Sequence, residues 1–265
     1  MSAPLLSVEK LEVVYHRALT AVQGVSLSVG SGQIVALLGT NGAGKSTTLR
    51  AISGFIGMDD ARVTEGSIVF KGERLENRPP HRITALGIAL VPERNKVFEN
   101  LSVAENLQVP RPAPGRKQPG LSERVYEYFP ALARLKNREA GYLSGGERQM
   151  LAIGAALMCA PELLLVDELS LGLAPIVVEE LMQRLRTIRD RMGMTVLLVE
   201  QNAAIALDFA DYGYIIENGR IVLDGTPERL RGHQDIREFY LGHGEGGRRS
   251  YAAVKQYRRS RRWYG

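Results

Sequence analysis

Two glycine-bearing segments and one strand end hold the residues whose types and spacing could do chemistry. GTNGAGKST (39–47) fits G-x-x-x-x-G-K-[ST] at Gly39, Gly44, Lys45 and Ser46, with Thr40, Asn41, Gly42, Ala43 and Thr47 completing the loop. Its glycines allow backbone N–H groups to wrap phosphate oxygens, and the helix that should begin there favours negative charge at its N-terminus. The motif predicts Lys45 on the β- and γ-phosphates of a nucleotide and Ser46 on Mg2+. LLLVDE (163–168) ends in two acids. Alone, an apolar strand ending this way is usually a strand meeting solvent. Beside a phosphate loop, Asp167 becomes a metal-orienting carboxylate next to Ser46, and Glu168 a group that polarises an attacking water.

The third segment, GYLSGGERQM (141–150), poses a puzzle. Ser144 and Glu147 have the spacing of a capping box before an apolar run. Yet Gly145 and Gly146 weaken the first turn that a cap should strengthen. Bare backbone at a helix N-terminus makes a second anion site, 99 residues beyond Lys45.

These residues need elements to position them. IVALLG (34–39), GIALVPE (87–93), ELLLVDE (162–168) and MTVLLVE (194–200) read as strands buried on both faces. LSVEKLEVV (6–14), AVQGVSLSV (21–29) and SIVFKG (67–72) read as shorter strands. Helices are expected from Gly44 through Ile52, over roughly 175–191, and across much of 121–159. VPRPAPGRKQPG (109–120) is an exposed loop, and Asn218-Gly219 marks a tight hairpin. The order gives a parallel α/β core interrupted by a helical insert and closed by a hairpin.

Composition narrows the setting. The 265 residues are 45% hydrophobic and 24% charged, ordinary for a globular protein. Cys159 is the only cysteine, so no internal disulfide forms and a reducing compartment is expected. The N-terminus does not read as a signal peptide, and the apolar stretch 150–166 is broken by Pro161 and Glu162 before it could span a bilayer. The net charge of +5 hides an asymmetry. Residues 243–265 carry seven basic side chains against Glu245, a net +6, so the other 242 residues carry −1. A nucleic-acid-binding surface on the body is therefore not expected. The tail is either solvated or a basic helix against anionic lipid or a partner, with Tyr251, Val254 and Tyr257 spaced at threes.

With LSGGE, GTNGAGKST and LLLVDE in this arrangement, the chain resembles the ATP-binding cassette (ABC) ATPases over about residues 6–242. The resemblance implies an α/β P-loop NTPase: a RecA-like core, an antiparallel β subdomain and an inserted α-helical subdomain at about 93–160. Residues 1–242 would form the ATPase domain and 243–265 a basic tail. It further implies ATP and Mg2+ as ligands, with Glu168, Lys45 and Gln201 catalytic. Tyr15 would stack on adenine, and Ser46, Asp167 and Glu93 would serve the metal. Two subunits would pair head to tail, so that Ser144, Gly145 and Gly146 of one cap the γ-phosphate held by the other.

Three positions depart from the commonest pattern of the family. Glu93 stands where many members have Gln, Gln201 where many have a switch histidine, and Ala174 where many have Asp. Gln201 can still donate an amide N–H but cannot become cationic. VPE, SLGLAP and LVEQN together resemble the F-type ATPase of Liv-type branched-chain amino acid importers, with urea and amide importers similar. That likeness implies a peripheral subunit on the cytoplasmic face of the cell membrane. Its partners would be a second ATP-binding subunit (a heterodimer, or else a homodimer), separate transmembrane permeases and, indirectly, an external solute-binding protein. A soluble ABC protein acting on DNA or ribosomes would instead show long heptads or two cassettes, and a small-molecule P-loop kinase would leave LSGGE unexplained.

Overall fold

The computed structural model describes residues 3–94, 96–112, 115, 118–234 and 236; the basic tail 243–265 lies outside them. The described residues build two sheets that share a core with the helix Lys45–Ser53. β1 (Leu6–Tyr15), β2 (Leu19–Val29), β4 (Ala61–Phe70) and β5 (Glu73–Arg74) form an antiparallel sheet in the order β2-β1-β4-β5. The second sheet joins β3 (Ile34–Leu38), β6 (Ile88–Val91), β7 (Leu163–Asp167), β8 (Thr195–Glu200), β9 (Tyr212–Glu217) and β10 (Arg220–Gly225) in the order β10-β9-β3-β8-β7-β6. It is parallel except for the terminal hairpin β9–β10.

The continuous apolar runs are explained by alternation. Val35, Leu37, Leu165, Leu197 and Val199 point toward α1 (Lys45–Ser53) and the antiparallel sheet. Ala36, Leu38, Leu164, Val166, Val196 and Leu198 point into a second core. That core is roofed by α6 (Gly145–Leu157), α7 (Pro175–Met192) and α8 (Ala203–Phe209). A strand with both faces buried has no place for a polar side chain until it ends.

Between β6 and β7 the chain makes α3 (Val103–Gln108), α4 (Leu121–Tyr128), α5 (Pro130–Arg134) and α6. The short helices α2 (Pro80–Leu86), α8 and α9 (Pro227–Gly232) have no counterpart in the sequence reading, α9 following the hairpin. β4 begins six residues earlier than the expected strand, because Arg62, Val63 and Glu65 continue the pairing with β1. The hairpin itself is as expected, with Asn218 and Gly219 both at positive φ.

The parallel strands bring chemistry to one edge. Leu38, at the end of β3, pairs in register with Glu200 at the end of β8, and Asp167, ending β7, pairs with Val199. Ligands of open α/β sheets bind outside such carboxyl ends.

Candidate nucleotide site

The loop leaving β3 is held by close packing. A Cβ on Gly39 would stand 2.4 Å from the Ile216 carbonyl oxygen, so only glycine fits. Gly44 caps α1 at φ 103° without a side-chain cap bond, which leaves the first-turn N–H groups of that helix for a ligand. The hairpin tip braces the loop from behind: the Gly219 N–H donates to the Ala43 carbonyl at 2.9 Å, and the Gln23 N–H donates to the Gly219 carbonyl at 2.7 Å.

Two side-chain pairs bridge this loop to the end of β7. Ser46 Oγ donates to Asp167 Oδ1 at 3.0 Å. Lys45 Nζ lies 3.1 Å from Glu168 Oε1 and also donates to the Thr40 carbonyl at 3.1 Å. The Lys45 side chain is 3% exposed and that of Glu168 9%, so the ion pair is almost fully desolvated. Glu168 sits at φ 46°, a conformation unusual for a side-chain-bearing residue, with its N–H bound to the Val199 carbonyl at 2.9 Å. Burial drives the Asp167 carboxyl up to about 6. The Ser46 bond and Lys45 oppose the rise, whereas the negative charges of Glu168 and Glu93 add to it.

An open cleft of about 360 Å3 runs over these groups. Asn41, Gly42, Gly44, Lys45, Ser46 and Thr47 line it together with Glu93, Arg94, Glu168 and Leu171. Glu93 thus comes to the site, where it pairs with Arg94 at 3.0 Å. Tyr15 ends β1 with its hydroxyl 3.3 Å from Thr47 Oγ1, beside the cleft rather than lining it. Gln201 is half-buried directly after β8 and does not line the cleft.

Ser144, Gly145 and Gly146 are not brought to this cleft. Ser144 completes its capping box: its hydroxyl accepts from the Glu147 N–H at 3.3 Å, and its own N–H donates to Glu147 Oε2 at 2.8 Å. The two glycines also have a packing reason that the sequence did not reveal. A Cβ on Gly145 would lie 3.0 Å from Leu173 Cδ2, and one on Gly146 2.8 Å from Val177 Cγ1. Sequence reasoning also missed Glu200 and Ser170. Glu200 is 1% exposed and accepts from the Ser170 N–H at 2.9 Å and the Ser170 hydroxyl at 2.6 Å. Burial raises its carboxyl to about 6, the Ser170 bonds opposing and the Glu168 charge adding. An acid closing an otherwise apolar strand, the signal that singled out Asp167, was equally present in MTVLLVE.

A cleft that combines amide and ammonium donors with carboxylates has the chemistry to receive the phosphates of a nucleotide. Residues 22–170 match the ABC transporter family. The chain is similar to BraG of Pseudomonas aeruginosa, a high-affinity branched-chain amino acid transport ATP-binding protein, with 43% identity across 90% of this chain and 100% of the relative. A probable branched-chain amino acid transport ATP-binding protein, LivF of Archaeoglobus fulgidus, is 35% identical across 90% and 99%. Among solved structures, the ADP conformation of an ATP-binding cassette of an ABC transporter superposes with a TM-score of 0.76 at 28% identity, covering 91% of this chain and all of that one. The chain belongs to the ABC transporter family and is one of its ATPase subunits.

Proposed function

We propose that this subunit hydrolyses ATP to drive uptake of branched-chain amino acids, or of solutes closely related to them, through separate permeases. The solute class is carried by the likeness to BraG and LivF, which extends over nine-tenths of the chain. The chemistry is carried by one observation. Lys45–Glu168 and Ser46–Asp167, pairs more than 120 residues apart in sequence, meet at 3.1 and 3.0 Å; Lys45, Ser46 and Glu168 line one cleft, and Asp167 is buried beneath it.

The loop N–H groups receive the phosphates, and Lys45 exchanges the Glu168 carboxylate for the γ-phosphate. Released from Lys45, Glu168 accepts a proton from the water that attacks in line. Ser46 Oγ and Asp167 offer adjacent hard oxygen ligands, with Glu93 lining the same cleft, a donor set suited to Mg2+. When bound, that ion neutralises charge on the β- and γ-phosphate oxygens. Tyr15, anchored beside Thr47, supplies a ring for adenine. Gln201 donates an amide N–H to the γ-phosphate in the closed state.

The signature residues Ser144, Gly145 and Gly146 serve a facing subunit, a second and different cassette, whose pairing closes the site. Leu171, Ile176 and Tyr142, all large and more than half exposed, supply apolar contact for that face. Permease contact falls on the helical insert, about 93–140, starting at Glu93. Where the insert meets the core sheet, an apolar groove of about 330 Å3 is lined by Leu90, Pro92, Phe98, Val109 and Ala152, with Lys96 among them. The subunit attaches peripherally, on the cytoplasmic side of the permeases it drives; among the described residues no helix is long and apolar enough to cross a membrane.

The test is ATP-dependent leucine uptake into proteoliposomes containing the co-purified permeases and binding protein. Uptake should require this subunit and disappear with Lys45→Ala. Transport unchanged by that substitution would refute the assignment of the site. ATP turnover that is indifferent to leucine would refute the solute.

A further inference from the structure

The buried carboxylate of Glu200 is not used by the phosphate cleft, yet it is tied to the segment that follows Glu168. Ser170 presents both its N–H and its hydroxyl to the two oxygens of Glu200, at 2.9 and 2.6 Å. Glu200 is fixed in turn by β8, where it pairs in register with Leu38 at the root of the phosphate loop. On the other side of Ser170, Leu173 donates its N–H to the Ser170 carbonyl at 3.2 Å and packs its side chain against Gly145, the first residue of α6. The Glu200 carboxylate therefore grips the middle of a loop that carries Glu168 at one end, where the Glu168 N–H is bound to Val199, and abuts the signature helix at the other. Glu168 needs such a restraint, because its left-handed backbone conformation persists only when its surroundings enforce it.

We propose that Glu200 is a positioning residue for ATP hydrolysis: its two-point hold on Ser170 sets the loop 169–174 so that the Glu168 carboxylate faces the phosphate cleft while Leu173 stays seated on α6. This rests on Glu168 being the group that activates water. Misplacing a catalytic group by about 1 Å costs on the order of a hundredfold in rate, with little effect on substrate affinity set elsewhere. The hold depends on acceptor geometry more than on charge. A glutamine can accept from the Ser170 N–H through Oε1 and donate to the Ser170 oxygen through Nε2.

The experiment measures steady-state ATP hydrolysis by the assembled transporter carrying Glu200→Ala, Glu200→Gln or Ser170→Ala. Glu200→Ala should lower kcat at least tenfold with KM for ATP within threefold of wild type. Ser170→Ala, which keeps the N–H donor and loses the hydroxyl, should fall between. Glu200→Gln should recover most of the wild-type kcat. Wild-type kcat in Glu200→Ala, a defect confined to KM, or a glutamine variant as impaired as the alanine one would each overturn the proposal. If Glu200→Ala fails to assemble, Ser170→Ala decides, and an unchanged kcat there overturns it. Full turnover in Glu168→Gln would instead overturn the water-activation reading, a separate result.

Discussion

Replacing Glu168 by glutamine preserves volume and removes one buried negative charge. That charge sits 3.1 Å from Lys45 Nζ, with both side chains less than 10% exposed. At an effective dielectric of about 20 the attraction is on the order of 5 kcal/mol, partly offset by desolvation of both groups. An incoming γ-phosphate must replace this carboxylate as the partner of Lys45 and then share the cleft with it. Glu168→Gln removes both the competition and the repulsion, so ATP should bind several-fold more tightly. Loss of a general base costs about 10²–10⁴ in rate, equivalent to roughly 3–5 kcal/mol of barrier. The assay pairs equilibrium binding of labelled ATP to the purified subunit with single-turnover hydrolysis in the assembled transporter. Tighter binding with turnover reduced at least a hundredfold is the expected pair of results. Turnover within tenfold of wild type would move the base elsewhere. Weaker ATP binding would mean that the Lys45–Glu168 pair builds the loop rather than guarding it.

Three further outcomes follow from other parts of the molecule. Ser144→Arg should leave ATP binding to the single subunit intact yet block ATP-driven pairing, read by light scattering or size-exclusion chromatography; surviving pairing would refute the shared site. Gly219→Ala places a Cβ 2.7 Å from the Ala21 carbonyl at φ 74°, so it should lower the unfolding free energy by about 1–2 kcal/mol and weaken ATP binding through the Ala43 contact. Equal stability by denaturant titration would show the hairpin tip to be slack. Glu200 has its folded carboxyl raised to about 6, above its unfolded value, so its contribution is fully present below the unfolded value and fades as pH rises through about 6. Relative to Glu200→Gln, the wild-type chain should therefore lose on the order of 1 kcal/mol between pH 5 and pH 8, and parallel stability curves would contradict that burial effect.

The phosphate loop and the acidic strand end were legible because their motifs are local: glycines, a lysine and a serine at fixed spacing, and carboxylates directly after an apolar run. The central strands were legible for the same reason, since β3, β7 and β8 are buried on both faces and write continuous apolar runs. Parts that depend on tertiary contact were not. Half of β4 reads as polar, because ARVTEG belongs to a sheet with one face less covered. The grip of Glu200 on Ser170 spans 30 residues and leaves no periodic trace. Gly145 and Gly146 show the limit from the other side. Their bareness was visible, but Leu173 and Val177 packing against them was not, and the two explanations coexist: residues that admit a close neighbour in one subunit can also admit a phosphate from another.

The most direct test of this account is a cryo-EM map of the complete transporter, trapped with ATP by Glu168→Gln. Ser144 Oγ and the Gly146 N–H should lie within about 3 Å of the γ-phosphate cradled by the opposite cassette, with Lys45 now on that phosphate. A map in which the nucleotide is fully occupied while the start of α6 faces solvent would contradict it.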